Sequence, residues 1–265
     1  MDIEEYLSFL TYYEKDGQIY QNHEEGKARK LATLNTFFGY FHKKEMIQKN
    51  APSVVDVPRV KEKNIIRLDA NEVAQLIDNI ESGEKLTKQQ KVWHERNKAR
   101  DLAIVVTLLG TGVRVTELVG LDLSDLDFDN GAMRVIRKGG NEDIVYFGEE
   151  TEEMLRNYLD ERMKMTPAPG HENALFISQN NTRITVRSVE RLVKKYASTA
   201  TVKKITPHKL RSTYGTALYQ ETGDIYLVAD VLGHKNVNTT RKHYAAMKEE
   251  NKRKAANIVQ LREKE

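Results

Sequence analysis

The sequence contains no cysteine among its 265 residues, which excludes disulfides and zinc sites built from thiolates. It also lacks any apolar run near the roughly 18 residues that a membrane-spanning helix requires. Its start shows neither the basic segment nor the apolar segment of a secretory signal. Together these absences predict a protein of a reducing cytoplasm that does not enter a membrane.

An excess of charge of one sign is nearly absent as well. The 42 lysines and arginines stand against 39 aspartates and glutamates, so the formal net charge is only +3, although 31% of the residues are charged. This mild positive excess permits binding to nucleic acid without requiring it, and the arrangement of the basic residues has to decide. The length is ample for a sizeable core in one large domain or two unequal ones.

The first 50 residues predict part of a helical domain. Apolar side chains recur at helical spacing over residues 3–13 and again over about 26–47. Because two helices bury little surface by themselves, we expect these residues to be part of a helical domain rather than a whole one. Residues 51–64 contain two prolines, several charges and no hydrophobic period, which predicts a linker.

The longer part of the chain predicts an α+β fold that is mainly helical. Asp69 and Glu72 have the spacing of a capping box at a helix start, and residues 98–109 are largely apolar, as in a central helix. Turns rich in Asn, Asp and Gly then separate short apolar segments, which predicts one small three-stranded antiparallel sheet. The predicted strands cover 126–128, 132–137 and 142–147, and further helices cover about 151–165, 185–200, 207–221 and 248 onward.

Arg114 lies in the segment TGVRVTEL, directly after the predicted central helix. The glycines at that helix end let the backbone bend tightly and direct the arginine at a fixed point. Glu117 lies three residues further on, on the same helical face, where it can hold the guanidinium group. Taken alone, the segment also fits an ordinary surface arginine.

Two further basic positions are of interest. In TPHKLR, Pro207 suits the first position of a helix, so His208 and Arg211 lie one turn apart near a helix N-terminus, where an anion is favoured. Lys138 lies at the tip of the predicted hairpin, and the glycines after it make the tip flexible enough to reach into a groove. Solvated side chains are the simpler explanation for each motif by itself.

The last polar segment, LGHKNVNTTRKHYAAM at residues 232–247, contains His234 and Tyr244. Five features follow one another along this chain: TGVRVTEL, the hairpin lysine, HKLR, LGH and a following tyrosine. Their order resembles that in the tyrosine site-specific recombinases of the phage integrase family, most closely the Xer-type and integrase branch. The resemblance covers about residues 65–250. It implies a core-binding (SAM-like) helical domain at 1–50 that is incomplete at its N-terminus, a linker at 51–64, a catalytic domain at 65–250 and an exchange helix at 251–265.

The resemblance also implies a role for each motif residue. The implied catalytic residues are Arg114, Lys138, His208, Arg211, His234 and the nucleophile Tyr244, with Glu117 supporting the first arginine. The commonest family spacing would place the nucleophile at His243, one residue earlier. Because a phosphohistidine is a labile phosphoramidate whereas a phosphotyrosine is a stable ester, we assign Tyr244. Tyr226 and Tyr214 are the alternative candidates for the nucleophile, but each lies between the motifs and is expected in the core.

The implied function is site-specific recombination of DNA through a 3′-phosphotyrosyl intermediate, with no metal ion, ATP or other cofactor. The implied partners are double-stranded DNA with an inverted-repeat site and further copies of the chain in a synaptic tetramer, in the cytoplasm at the nucleoid. Two alternatives keep the same fold: a monomeric enzyme like a type IB topoisomerase, and a DNA-binding regulator that does not cleave. The sequence leaves open whether the enzyme resolves chromosome dimers or moves a mobile element.

Overall fold

The computed structural model describes residues 2–59, 66–234 and 237. These residues form two compact units, one up to residue 59 and the other from residue 66 onward. The helices are α1 (Ile3–Phe9), α2 (Glu24–Lys43), α3 (Ala70–Ser82), α4 (Lys88–Thr111), α5 (Val115–Gly120), α6 (Glu149–Arg162), α7 (Val186–Ala200), α8 (Pro207–Thr222) and α9 (Ile225–Val231). The strands are β1 (Tyr13–Lys15), β2 (Gln18–Tyr20), β3 (Leu126–Asp127), β4 (Ala132–Ile136) and β5 (Glu142–Tyr146).

In the first unit, the prediction of one helix over residues 3–13 is wrong. Helix α1 ends at Phe9, and β1 pairs with β2 as an antiparallel hairpin. The turn of this hairpin consists of Asp16 and Gly17, both at positive φ (53° and 72°), as a tight hairpin turn of type I′ requires. The Asp-Gly pair was therefore a local signal for the hairpin, but the helical spacing of the apolar residues led to the prediction of a helix.

Helix α2 forms close to the predicted range, since it begins two residues before 26 and ends at Lys43. Its buried Leu31 packs with Leu7 and Leu10 in a small core. The segment predicted as a linker begins with a 3₁₀ turn at Ala51–Val54, and Val55 packs against the same small core. The first part of that segment thus belongs to the first unit.

The core of the second unit lies around α4, which packs against α3, α6 and α8. The apolar stretch predicted as a central helix is buried, with Ile104, Val105 and Leu108 fully inaccessible to solvent. The helix is longer than predicted, because a capping box of Thr87 and Gln90 begins it within polar sequence. The capping box predicted at the start of α3 is confirmed by two reciprocal hydrogen bonds.

The three-stranded antiparallel sheet is confirmed, with strand order β3-β4-β5. Along β4 the side chains alternate: Met133 and Val135 are buried, and Arg134 and Ile136 are exposed. In the turn between β4 and β5, the Arg137 amide donates to the Asn141 carbonyl at 2.7 Å. The two-residue alternation along β4 determines which side chains near the turn face the core.

The helices predicted after the sheet are present as α6, α7 and α8, and α8 begins at Pro207 as expected. The short helix α9 was not predicted. It follows Gly223 and begins where the Asp224 carboxylate accepts the amides of Tyr226 and Leu227. The helix expected from residue 248 lies outside the described residues. Within the described ranges, no helix has both the length and the apolar character needed to cross a bilayer.

Candidate active site

Arg114 is held by Glu117 as the sequence predicts. Helix α4 ends at a glycine in the left-handed conformation, Gly112 (φ 64°), and Arg114 then caps the N-terminus of α5. Glu117 accepts the Arg114 side chain at 2.6 Å through Oε1 and the Arg114 amide at 2.8 Å through Oε2. Glu117 is buried while one third of the Arg114 side chain is exposed, so the arginine is oriented but not enclosed.

Gly112 is required at its position for space as well as for its backbone angle. A Cβ atom there would lie 2.4 Å from a ring carbon of Tyr214 and 2.9 Å from a methyl group of Leu232. Its carbonyl oxygen accepts Nη1 of Arg211 at 2.5 Å. The turn that precedes Arg114 therefore also positions the second arginine.

Arg211 and His208 lie on α8, one turn apart, but in different surroundings. His208 is exposed in the first turn, whereas Arg211 is buried with 4% of its surface accessible. Besides the contact with Gly112, its Nη2 donates to the carbonyl oxygen of Leu232. A buried guanidinium group is tolerated only when hydrogen-bonded acceptors compensate its lost hydration, and these carbonyls provide them.

The two arginines meet at the end of α9. Nη2 of Arg114 donates to the carbonyl oxygen of Gly233 at 3.2 Å, and Arg211 contacts the preceding carbonyl, that of Leu232. His234 follows at once, and its amide donates to the carbonyl oxygen of Ala229 at 2.8 Å. The structure thus brings Arg114, Arg211 and the backbone of His234 together from three separate segments.

Lys138 lies in the turn after β4 and is exposed, in agreement with its predicted place at a hairpin tip. The residue before it, Arg137, was missed by the sequence reasoning. Its guanidinium group contacts Glu117 at 3.0 Å, Asp143 at 2.9 Å and the carbonyl oxygen of Val231 at 3.3 Å. The period of β4 was an available signal, because it places position 137 on the same face as buried Met133 and Val135.

The assigned nucleophile, Tyr244, lies outside the described residues, as does the segment that carries it. Of Tyr214 and Tyr226, the two tyrosines expected in the core, Tyr226 is 71% exposed, so its predicted place there is wrong. Tyr214 is half-buried against a small core cluster of Tyr219, Val228 and Leu232, and burial raises the pKa of its phenol. A raised pKa makes the phenol of Tyr214 a poorer nucleophile at neutral pH.

The described parts of the chain contain no group of three or more histidine, aspartate or glutamate side chains arranged to hold a metal ion. The charges gathered at this place are those of the arginines Arg114, Arg137 and Arg211 with the carboxylates of Glu117 and Asp143. Forked guanidinium groups match the oxygens of a phosphate in geometry and charge. The arrangement is therefore suited to a phosphodiester.

Comparison with known proteins agrees with this chemistry. The model of the phage integrase family matches residues 66–251. The tyrosine recombinase XerC of Corynebacterium glutamicum is 33% identical over 223 residues, which cover 82% of this chain and 68% of the relative. XerC of Thermodesulfovibrio yellowstonii is 35% identical over 218 residues, covering 81% and 69%.

A solved structure shares the fold. The XerH site-specific recombinase bound to a palindromic difH substrate, in a post-cleavage complex, superimposes with a TM-score of 0.72 at 21% identity. The match covers 97% of this chain and 72% of that one. At this identity the likeness shows the fold alone.

The chain belongs to the phage integrase family. It is a tyrosine recombinase of the kind represented by XerC, an enzyme of site-specific recombination that cleaves and rejoins DNA strands. Recombination is thereby favoured over the topoisomerase-like enzyme and the non-cleaving regulator.

Proposed function

We propose that this recombinase binds the scissile phosphate with Arg114 and Arg211 and attacks it with Tyr244. The supporting observation is that the two arginines, from different helices, donate to the neighbouring carbonyls of Gly233 and Leu232 just before His234. In the transition state the nonbridging oxygens carry spread negative charge, which fixed guanidinium groups stabilise. Each such fixed donor contributes about 2.7–4 kcal/mol in well-studied enzymes.

The proposed step replaces one phosphate ester by another. The Tyr244 oxygen bonds to phosphorus, its proton passes to His208, and the bond from phosphorus to the 5′ oxygen breaks. Lys138 protonates the departing oxygen, because an alkoxide is a poor leaving group. The product is a 3′-phosphotyrosyl link and a free 5′-hydroxyl. Since the ester bond is conserved, a second 5′-hydroxyl reverses the step, and neither ATP nor a metal ion is consumed or required.

The proposal is tested by trapping the covalent link without metal ions. The protein is incubated in excess EDTA with fragments of the genome that encodes it, and the DNA that remains attached after denaturation is sequenced. We expect attachment to proceed in EDTA, because the arginines supply the positive charge. The attached ends should share one sequence with inverted-repeat halves, because the enzyme is site-specific. A denatured sample and a sample with magnesium serve as controls.

Two results would contradict the proposal. Attachment that requires magnesium would show that a metal ion supplies the charge assigned to Arg114 and Arg211. Attachment scattered over unrelated sequences would favour the topoisomerase-like alternative, which does not depend on a defined site. The sequence recovered in this experiment, built with a nick beside the scissile phosphate, is the substrate for the tests below.

We further propose that residues 1–50 form part of a core-binding domain and that residues 251–265 form an exchange helix. Four copies then assemble on two inverted-repeat sites, joined through these helices. Removing residues 251–265 should abolish the four-protomer complex on two-site DNA, measured by mass photometry, while binding to a single half-site persists. If the shortened chain assembles as readily as the full chain, the exchange helix is wrong.

A further inference from the structure

Arg137 joins the parts of the proposed site that the chain itself keeps apart. It follows the last residue of β4 and precedes Lys138, and its side chain is only 11% exposed. Its backbone closes the turn that carries Lys138, since the Gly140 amide donates to its carbonyl oxygen at 3.0 Å. The anchor of the Lys138 turn is therefore a partly buried arginine that is paired with protein groups.

The three contacts of the Arg137 guanidinium group lead to three different elements. Nη1 pairs with Glu117 on α5 at 3.0 Å, and Nε pairs with Asp143 on β5 at 2.9 Å. Nη2 donates to the carbonyl oxygen of Val231, the last residue of α9, at 3.3 Å. One planar fork thus holds the base of the hairpin against the elements that carry Arg114 and His234.

Gly233 shows how closely the guanidinium group approaches the end of α9. Its φ angle is 58°, and a Cβ atom at this position would lie 2.9 Å from Nε and 3.0 Å from Cζ of Arg137. The guanidinium group packs directly against this backbone. Displacing Arg137 would therefore loosen the carbonyl that Arg114 contacts and the start of the His234 segment.

Arg137 also changes the charge balance at Arg114. With Glu117 alone, the charge of Arg114 would be paired one to one by a buried carboxylate. Arg137 shares that carboxylate through its second oxygen, so two positive charges stand against one negative charge at this point. Asp143 offsets Arg137 only in part, because the Asp143 side chain is 45% exposed and screened by water. Glu117 therefore compensates the charge of Arg114 less completely, and Arg114 attracts a phosphate more strongly.

We propose that Arg137 is a positioning residue of the recombinase site, acting on Arg114 through Glu117 and on Lys138 through the hairpin. The inference rests on the proposed function. Arg137 need not touch the DNA, since its partners are protein groups on α5, β5 and α9. Its removal should slow cleavage and leave DNA affinity nearly unchanged.

The first test compares Arg137→Met with Arg134→Met. Arg134 lies on the same strand but is about half exposed, and its partners are Asp125 and Glu142 outside the site. We expect Arg137→Met to form the covalent adduct about 10- to 100-fold more slowly in single-turnover experiments at saturating protein. Arg134→Met should cleave like the wild type, and both variants should bind DNA within about a factor of two of it. Equal cleavage rates for the two variants would overturn the inference.

A second test separates positioning from a general loss of structure. If Arg137 acts through Glu117, then Arg137→Met lowers the rate by a smaller factor in a Glu117→Gln background than in the wild type. The same factor in both backgrounds would show that the route through Glu117 is wrong. Thermal unfolding of each variant shows whether it is folded under the assay conditions.

Arg137→Lys keeps the inference testable if the methionine variant does not fold. A single ammonium group retains the charge but cannot reach three partners as a planar fork does. We expect Arg137→Lys to cleave more slowly than Arg134→Lys, and equal rates would again overturn the inference. A wild-type protein that forms no adduct would instead overturn the proposed function, a failure that differs from any variant's behaviour.

Discussion

Tyr244→Phe should abolish the covalent protein–DNA adduct on the nicked substrate. The phenol oxygen is the atom that bonds to phosphorus in the proposed step, and phenylalanine retains the ring but has no nucleophile. DNA affinity should change little, because one hydroxyl group adds little to binding dominated by phosphate contacts. The adduct is measured as a band of retarded mobility on denaturing gels, and affinity is measured by fluorescence anisotropy.

Matched controls come from Tyr226 and Tyr214, which lie between the motifs. Tyr226→Phe changes an exposed side chain on α9, and Tyr214→Phe changes a half-buried phenol whose pKa burial raises. Both variants should form the adduct at the wild-type rate. An adduct that survives Tyr244→Phe would place the nucleophile elsewhere, and its loss in Tyr226→Phe would then identify Tyr226.

Lys138→Ala should slow adduct formation by about 10²- to 10⁴-fold, the range that general acid catalysis contributes. Lys138 is exposed at the turn between β4 and β5, so no protein group has to move before DNA contacts it. A substrate with sulfur at the 5′ bridging position should recover much of this loss. A thiolate leaves without a proton, and the acid is then no longer needed.

The control for this prediction is Lys164→Ala, which removes an exposed lysine from the turn after α6. It should leave both substrates unaffected. If the sulfur substrate does not rescue Lys138→Ala, the lysine is not the general acid. If it rescues Arg137→Met in part as well, that portion of the Arg137 effect passes through Lys138.

Local sequence was a good guide wherever a feature depends on neighbours along the chain. The Asp69 capping box, the start of α8 at Pro207 and the pairing of Arg114 with Glu117 were all predicted and are all present. Each involves residues within one helical turn, so their spacing alone determines their geometry. The three-stranded sheet was predicted for the same reason, because its tight turns join strands that are adjacent in sequence.

The predictions failed where two local signals compete or where a segment is too short to show a period. Residues 3–13 have helical spacing, yet Tyr13 belongs to the hairpin that the Asp16-Gly17 turn closes. There its ring stacks on that of Tyr20. Helix α9 covers barely two turns, too few to show a hydrophobic period. Its position nevertheless decides where the carbonyls of the site lie.

The order of residue types along the chain was enough to identify the chemical groups of the site: arginines, a lysine, histidines and a tyrosine, which suit a phosphodiester. Packing of distant segments was needed to show that Arg114 and Arg211 contact neighbouring carbonyls, and that Arg137 joins Glu117 to the hairpin and to α9. These contacts join residues that are far apart along the chain. The distances between these residues depend on how α4, α8 and the sheet pack in the shared core, and local spacing along the chain does not determine them.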